Sequence, residues 1–163
     1  MKQTVKISTG GMVMSTLVLV FLAVMLLYWI RRGEAACWIT LACVLGGWCV
    51  VTLFYAPMAI SVDDRNLSIH RSLRIKDIPL SEIASVMPCP PTMAERRLCG
   101  SGGFMGYWGW FSERDLGRYF AYYGRSSDCF LVTLKNGRKY MLGCQNSRAM
   151  ANAILARAGI VSR

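Results

Sequence analysis

The segments GMVMSTLVLVFLAVMLLYWI (Gly11–Ile30) and AACWITLACVLGGWCVVTLFYA (Ala35–Ala56) contain no charged residue, and only RRGE separates them. They hold 20 and 22 residues. At about 1.5 Å of rise per residue, each forms a helix about 30 Å long, which is the thickness of the hydrocarbon core of a bilayer. The sequence therefore predicts a transmembrane helical hairpin over residues 1–57, with spans at about 11–30 and 35–56.

The remaining residues, 58–163, suit one small domain of basic character. The whole chain carries 19 Lys and Arg against 9 Asp and Glu, and 15 of the basic and 8 of the acidic residues follow Met58. A basic domain beside a membrane favours anionic lipid head groups, at roughly 1 kcal/mol per well-placed Lys or Arg. The alternative is arginine scattered over a solvated surface. Nucleic acid is another common partner of basic domains, but tethering to a membrane argues against it, and we expect none.

Charges near the spans predict the orientation of the hairpin. Two spans put both termini on one side, together with Lys2 and Lys6, and Arg65 and Arg71 follow the second span. The connecting loop carries Arg31-Arg32. The positive-inside rule then favours a multi-pass protein of the cytoplasmic membrane with both termini in the cytoplasm.

Cysteine and histidine positions indicate neither a disulfide framework nor a metal site. Three cysteines lie in the second span, where a thiol behaves as a small apolar group. The other four form no Cys-x-x-Cys pair, and a cytoplasmic domain keeps them as thiols, whereas export would allow two bridges. His70 is the only histidine, so we expect no metal and no cofactor. The cysteines are Cys37, Cys43 and Cys49 in the span and Cys89, Cys99, Cys129 and Cys144 after it.

Catalytic motifs are weak throughout the chain. The glycine-rich segment 100–106 has Met105 where dinucleotide-binding loops need their third glycine, and no Gly-Lys-Ser/Thr follows. His70 lies in an alternating segment without an evident orienting group, although a catalytic role would need one. We predict that the protein is not an enzyme. A catalytic domain using His70 as a base stays as an alternative that His70→Ala would test.

Alternating apolar and polar residues after Pro57 predict a mainly β domain. Six or seven strands are expected, with residues 75–86 as one extended segment and 88–103 as a loop. Asn136-Gly137 between two apolar runs predicts a tight hairpin. Asn146 or Ser147 then begins a C-terminal helix over about 147–158, with Gly159 in the position of a left-handed cap.

Four short segments precede the Asn136-Gly137 turn and the C-terminal helix: Ile60-Ser61-Val62-Asp63-Asp64, Ile78-Pro79-Leu80-Ser81-Glu82-Ile83-Ala84-Ser85-Val86, Gly102-Gly103-Phe104-Met105-Gly106-Tyr107-Trp108-Gly109 and Leu116-Gly117-Arg118-Tyr119. In this order they resemble the bacterial PH-like domain membrane proteins, which carry a small pleckstrin-homology-type barrel after two transmembrane helices. The resemblance implies a bent, nearly orthogonal antiparallel sheet, or partly open barrel, closed by a C-terminal helix. It implies a platform for lipids, peptides or other subunits rather than an activity. The loop that is basic in phosphoinositide-binding members contains Asp63-Asp64 here, which argues against that lipid site.

Two groups of residues are candidate functional surfaces. The first group combines aromatic rings with flanking arginines, which suits a head-group interface or a protein contact; the alternative is that the rings fill the core of the β domain. The second is a small-residue patch for helix packing in the second span, unless its glycines merely face lipid. The groups are Arg96, Arg97, Tyr107, Trp108, Trp110, Phe111, Arg114 and Arg118, and then Cys43, Gly46 and Gly47.

These features predict a non-enzymatic, membrane-anchored PH-like module. Such a module scaffolds or regulates a complex at the cytoplasmic membrane surface through lipid or protein contacts. Homo-oligomerisation is implied by the resemblance alone. The second hypothesis is an accessory subunit of a transport or envelope-stress complex that acts through its transmembrane helices.

Overall fold

Two long helices form the N-terminal part of the computed structural model, which describes residues 1–89, 91 and 95–159. Helix α1 spans Thr9–Arg32 and helix α2 spans Ala35–Tyr55. Ser8 caps α1 by accepting a hydrogen bond from the Gly11 N–H at 3.1 Å, and Gly33 ends it with a φ of 74°. Both predicted spans are therefore helical.

Both helices are long and apolar enough to cross a membrane, and their side chains are exposed within the chain. Only 6% of the most apolar window of each helix is buried by the rest of the protein. The core helix of a soluble domain would bury most of such a window. Lipid or another protein must therefore cover these surfaces.

Sheet A contains four antiparallel strands in the order β1-β2-β3-β4. Strand β1 precedes the first helix and pairs with β2, with Gln3 opposite Ile60. Strand β1 was not predicted, because three residues carry almost no periodic signal. The strands are β1 (Lys2–Thr4), β2 (Pro57–Val62), β3 (Asn66–Arg71) and β4 (Ile75–Pro79).

Sheet B contains six strands in the order β5-β9-β10-β8-β7-β6 and does not close into a barrel with sheet A. All its pairs are antiparallel except β8 with β10, which run parallel with Ala121 opposite Met141. The expected antiparallel sheet therefore contains one parallel pair. The chain reverses after β8 and again after β9, so β10 regains the direction of β8. The strands are β5 (Ile83–Pro88), β6 (Arg96–Gly103), β7 (Gly106–Glu113), β8 (Gly117–Tyr123), β9 (Cys129–Leu134) and β10 (Lys139–Gly143).

The described residues form ten strands, more than the six or seven expected, mainly because two segments were misassigned. The second half of the predicted loop 88–103 is strand β6, which pairs with β7, and residues 90 and 92–94 of that predicted loop lie outside the described residues. Gly100 and Gly109 face each other there with φ values of 127° and 122°, and a Cβ on either would collide with backbone oxygen of the partner strand. These glycines permit close strand pairing, although their composition is typical of a loop.

The segment 75–86 is two strands rather than one. A single 3₁₀ turn, Leu80–Glu82, follows Pro79 and separates β4 in sheet A from β5 in sheet B. The Leu80 N–H donates to the carbonyl of Arg65 at 2.8 Å and fixes this corner. The corner carries the chain from one sheet to the other, which a continuous strand could not do.

The hairpin and the final helix are confirmed. Thr133 lies opposite Lys139 across the Asn136-Gly137 turn, where Gly137 has a φ of 81°. Helix α3 spans Ser147–Ala158, its cap Asn146 accepts a hydrogen bond from the Ala149 N–H at 3.2 Å, and the left-handed residue Gly159 ends it.

Buried apolar residues lie on both faces of sheet B. The first core fills the space between the two sheets and α3, and it includes Ile69, Phe130, Val132 and Ile154. The second core lies on the opposite face of sheet B and consists of Phe111, Tyr119, Ala121, Tyr123, Cys129, Leu131 and Met141. This double burial explains the nearly continuous apolar run of β9.

Candidate functional site

The helical pair joins the β domain at both of its ends without a flexible linker. Helix α2 ends at Tyr55 and β2 begins at Pro57. On the other side, the Val5 N–H donates to the carbonyl of Met58 at 2.9 Å, and the Ser8 N–H donates to the carbonyl of Gly124 at 3.0 Å. The helices are thus held to the sheets by backbone hydrogen bonds on the α1 side and by the direct chain connection on the α2 side.

The tip of the β6–β7 hairpin lies along the two helices. The ring of Phe104 lies 4.2 Å from that of Trp48, centroid to centroid. The Met105 N–H donates to Ser15 Oγ at 3.2 Å, and the Ser15 hydroxyl donates to the carbonyl of Gly11 at 2.7 Å. Trp48 lies seven residues before the end of α2, so the tip extends about 10 Å along the helices from the end of the second span.

A cavity of about 580 Å³ lies between this tip and the start of α1, and we call it the junction cavity. Its volume falls within the range of about 300–1,000 Å³ that is typical of ligand sites. Three predicted site residues, Arg97, Tyr107 and Trp108, line it. The other lining residues are Ser8, Gly10, Gly11, Met14, Ser15, Val18, Trp48, Gly100, Ser101, Gly102, Gly103 and Phe104.

The junction cavity contains the donors Arg97 and the Trp108 indole, together with the hydroxyls of Ser8 and Ser15, which also accept hydrogen bonds. The Arg97 side chain extends along β6, since its Nη1 would lie 3.0 Å from a Cβ built on Gly102. Trp108 is 5% exposed, and its buried indole N–H has no hydrogen-bond partner among the described residues. No Asp or Glu lines the cavity. Its electrostatic character is therefore positive.

An apolar groove of about 570 Å³ continues from the junction cavity between the helices, and we call it the interhelical groove. Val18 and Trp48 line both spaces. Cys43 and Gly47 line the groove, whereas Gly46 does not, and a Cβ on either glycine meets no atom within 4 Å. Within this chain the small-residue patch leaves space beside α1 instead of contacting it, so helix packing through Cys43, Gly46 and Gly47 stays a prediction about a partner. The remaining lining residues are Leu22, Leu41, Val44, Leu45 and Val51.

A second, open cleft lies at the exposed edge strand β6, and we call it the Trp110 cleft. Leu98, Cys99, Trp110 and Arg118 line it. Trp110 is 47% exposed, and its ring lies edge-on to Phe120 at 5.2 Å. Phe120 in turn stacks on Tyr55 at 6.3 Å, so the cleft lies beside the end of α2.

The other predicted site residues lie elsewhere. Phe111 is buried in the second core and stacks on Tyr119 at 6.3 Å. Arg96 is exposed on β6, and Arg114 is exposed between β7 and β8. The predicted set is therefore divided among the junction cavity, the Trp110 cleft, the core and the open surface. Tyr107 and Phe111 share one face of β7 and Trp108 and Trp110 share the other, and the residue of each pair nearer the hairpin tip lines the junction cavity.

A cluster of two buried tyrosines around one half-buried carboxylate was not predicted from the sequence. Tyr119 and Tyr123 both donate hydrogen bonds to Glu95, at 2.8 and 2.9 Å. Burial raises the pKa of both phenols well above the ordinary value for tyrosine, and the neighbouring Glu95 carboxylate is the next largest cause. Burial likewise raises the pKa of the Cys129 thiol, so this cysteine is a poor nucleophile. The cluster fixes the residue before β6 against the second core.

The candidate catalytic and metal-binding side chains do not form a recognisable catalytic or metal site among the described residues. Ser61 Oγ and His70 Nε2 lie 2.8 Å apart on neighbouring strands of sheet A, and Ser61 is buried. No described hydrogen bond orients the other ring nitrogen of His70, which a catalytic Ser–His pair requires. No group of three His, Cys, Asp or Glu side chains is placed to hold a metal ion within residues 1–89, 91 and 95–159.

Two β-sheets packed on a C-terminal helix and preceded by two membrane-length helices define a domain of the pleckstrin-homology type. The family model of the bacterial PH domain matches residues 58–158, and the chain belongs to that family. This match confirms the resemblance that the four sequence segments suggested. PH-type domains are generally non-catalytic. The chain matches no curated protein and no solved structure in the corresponding comparisons.

Proposed function

We propose that the protein is a non-enzymatic, membrane-anchored PH-like module that holds its β domain, residues 58–163, against the cytoplasmic face of the inner membrane. There the Trp110 cleft contacts anionic head groups. The main support is the connection between the helices and the β domain, which has no flexible linker and in which Tyr55 at the end of α2 stacks on Trp108 and Phe120 of sheet B. Such a junction keeps the cleft beside the bilayer, so weak contacts suffice.

The composition of the Trp110 cleft supports the head-group contact. An exposed indole and an exposed leucine are adjacent to the Arg118 cation. Tryptophan prefers the membrane interface, where its apolar body and polar N–H are both accommodated, and a nearby arginine attracts anionic lipid.

The orientation with both termini in the cytoplasm is supported by strand β1. The amino group of Met1 donates to the carbonyl of Val62 at 2.8 Å, so the N-terminus belongs with the β domain. Lys2, Lys6 and the basic domain then share one side of the membrane, as the positive-inside rule favours.

The accessory-subunit function is favoured by one observation only. Gly46 lies on an exposed helix face and has no neighbour within 4 Å of its Cβ position among the described residues. A helix of another subunit could approach closely at such a point.

Cys99 offers a direct test, because it lies in the Trp110 cleft and is exposed. Full-length chain with Cys37, Cys43, Cys49 and Cys89 replaced by alanine is labelled there with an environment-sensitive fluorophore and placed in nanodiscs. We expect a blue shift of emission on phosphatidylglycerol relative to phosphatidylcholine. Arg118→Gln should remove the difference. Arg148→Gln should not, because Arg148 is exposed on α3, which packs against β5 at the opposite edge of sheet B. Identical, water-like emission on both lipids would refute the head-group contact.

A further inference from the structure

The junction cavity and the interhelical groove together have the form of a lipid site, with a polar pocket at one end and an apolar channel at the other. They share Val18 and Trp48, so one molecule can occupy both. Every other residue of the groove is apolar or small, whereas the cavity supplies Arg97, Ser8 and the Trp108 indole. We propose that one anionic phospholipid binds here, with its phosphate beside Arg97 and one acyl chain between α1 and α2. This proposal rests on the membrane insertion proposed above.

The case for a phosphate rests on donors that lack partners. No hydrogen bond or ion pair joins the Arg97 guanidinium to another described residue. The Trp108 N–H is also unpaired, although burying such a donor without a partner is costly. Arginine binds phosphate through two parallel hydrogen bonds, and the N-terminus of α1, whose residue Gly10 leaves open space, adds a positive dipole.

The preference for an anionic lipid follows from what is missing along the lining. A zwitterionic head group adds a cation, which the Arg97 guanidinium repels and which only a carboxylate could neutralise. The lining contains no Asp or Glu, and its one formal charge is the Arg97 cation. A phosphodiester with a neutral alcohol head group, such as phosphatidylglycerol, therefore fits the charge of the cavity better than phosphatidylethanolamine does.

The case for an acyl chain rests on the small residues of α2. Cys43 and Gly47 lie one helical turn apart on the groove side, where larger side chains would pack against α1. In a bilayer such a space is filled by lipid. The groove begins where Met14 and Val18 follow the polar start of α1, so the change from polar to apolar lining coincides with the change from head group to chain.

Native mass spectrometry of the full-length chain tests the polar end. The chain is incubated in detergent with equal amounts of phosphatidylglycerol, phosphatidylethanolamine and phosphatidylcholine. We expect one retained phosphatidylglycerol per chain, and Arg97→Gln should lower its retention by about tenfold or more. Arg96→Gln is the matched control, since Arg96 is exposed on the same strand outside the cavity. Equal losses in both variants would show diffuse charge attraction and overturn the site.

Trp108→Phe tests the unpaired donor. Phenylalanine keeps an aromatic ring against Tyr55, whose centroid lies 5.7 Å from that of Trp108, but it lacks the indole N–H. A fall in retention of about twofold to tenfold is expected for the loss of one neutral hydrogen bond. Unchanged retention of the lipid would show that the Trp108 indole N–H does not bind the phosphate. An excess of soluble glycerol 3-phosphate should not displace the lipid, and displacement would show that the acyl chain contributes nothing.

The two neighbouring glycines of α2 test the apolar end. Both sites accept a side chain without collision, because a Cβ meets nothing within 4 Å, and leucine favours a helix over glycine. Gly47→Leu fills the groove and should abolish lipid retention, whereas Gly46→Leu should leave it intact. Retention by Gly47→Leu overturns the proposal. The proposal is also overturned if the wild-type chain has the mass of a dimer without bound lipid and Gly47→Leu has the mass of a monomer. The groove would then be an interface between two copies of the chain.

Membrane insertion is scored separately, by resistance of the chain to alkaline carbonate extraction. A chain that is extracted refutes the membrane anchor and, with it, the function proposed above. A chain that resists extraction but retains no phosphatidylglycerol refutes the lipid site alone.

Discussion

In helix α1 the apolar side chains face outward, with Val20 57% and Val24 59% exposed, whereas in strand β9 Phe130 and Val132 are 0% exposed. The two regions have similar apolar composition and opposite placement. The β domain is stabilised by removing its apolar surface from water within the chain. The helical pair has no such interior, because two helices bury little of each other, and its surroundings must supply the apolar contact. The same substitution should therefore have different consequences in the two regions.

The largest effect is expected from opening the first core. Phe130→Ala removes a fully buried ring between the sheets and should lower the free energy of unfolding of the β domain by about 3–5 kcal/mol. Leu73→Ala, at a side chain that is 57% exposed in the β3–β4 turn, should change it by less than about 0.5 kcal/mol. Denaturant titration of both variants in detergent, followed by near-ultraviolet circular dichroism, measures the difference. Equal stability would mean that the core between the sheets is not formed.

A charge on the outward face of α1 should have the next largest effect. Val20→Arg costs about 2.5–3.5 kcal/mol of insertion free energy at the centre of a span and should reduce the carbonate-resistant fraction of the chain strongly. Val20→Leu is the control and should leave this fraction unchanged. On the surface of a water-soluble helix, arginine at an exposed site would be harmless. Full resistance of Val20→Arg to extraction would therefore show that lipid does not cover this face.

The contrast between regions also explains what could be predicted from the sequence. Long uncharged runs specify helices by length alone, and the Asn136-Gly137 turn specifies a hairpin by local chemistry. Strand β6 was missed because the glycines that let it approach β7 give it the composition of a loop. Strand β1 was missed because its partner β2 lies more than fifty residues away, beyond both helices.

The candidate site was predicted only in its residue types. Arg97, Tyr107 and Trp108 do lie together, but Ser8, Ser15 and Trp48 join them from the helices. Periodicity within one strand cannot show which residues of another element approach it. The inward position of Phe111 and the outward position of Trp110 depend on the register of β7 and on how far sheet A extends over sheet B.

Burial in the β domain also makes its stability sensitive to high pH. Burial raises the pKa of the Cys144 thiol from 9.0 to about 11, so the unfolded chain loses this proton first. The contribution is complete below about pH 9 and is lost as the pH rises to about 11, on the order of 2 kcal/mol in all. Cys144→Ala should flatten the fall in unfolding free energy between these pH values, and Cys99→Ala, at an exposed site, should not. If the unfolding free energy of Cys144→Ala falls as steeply as that of the wild type, groups other than Cys144 cause the pH dependence.

The smallest expected effect concerns the contact between the two regions. Tyr55, the last residue of α2, stacks on Trp108 at 5.7 Å and on Phe120 at 6.3 Å. Tyr55→Leu keeps apolar bulk but removes the ring contacts, and it should destabilise the β domain in the full-length chain by about 0.5–1.5 kcal/mol. Phe54→Leu, at a neighbouring exposed ring, should have no such effect. Hydrogen exchange at β7 and β8 should rise in the Tyr55 variant alone. If neither variant alters hydrogen exchange in β7 and β8, the ring contacts of Tyr55 do not stabilise the β domain.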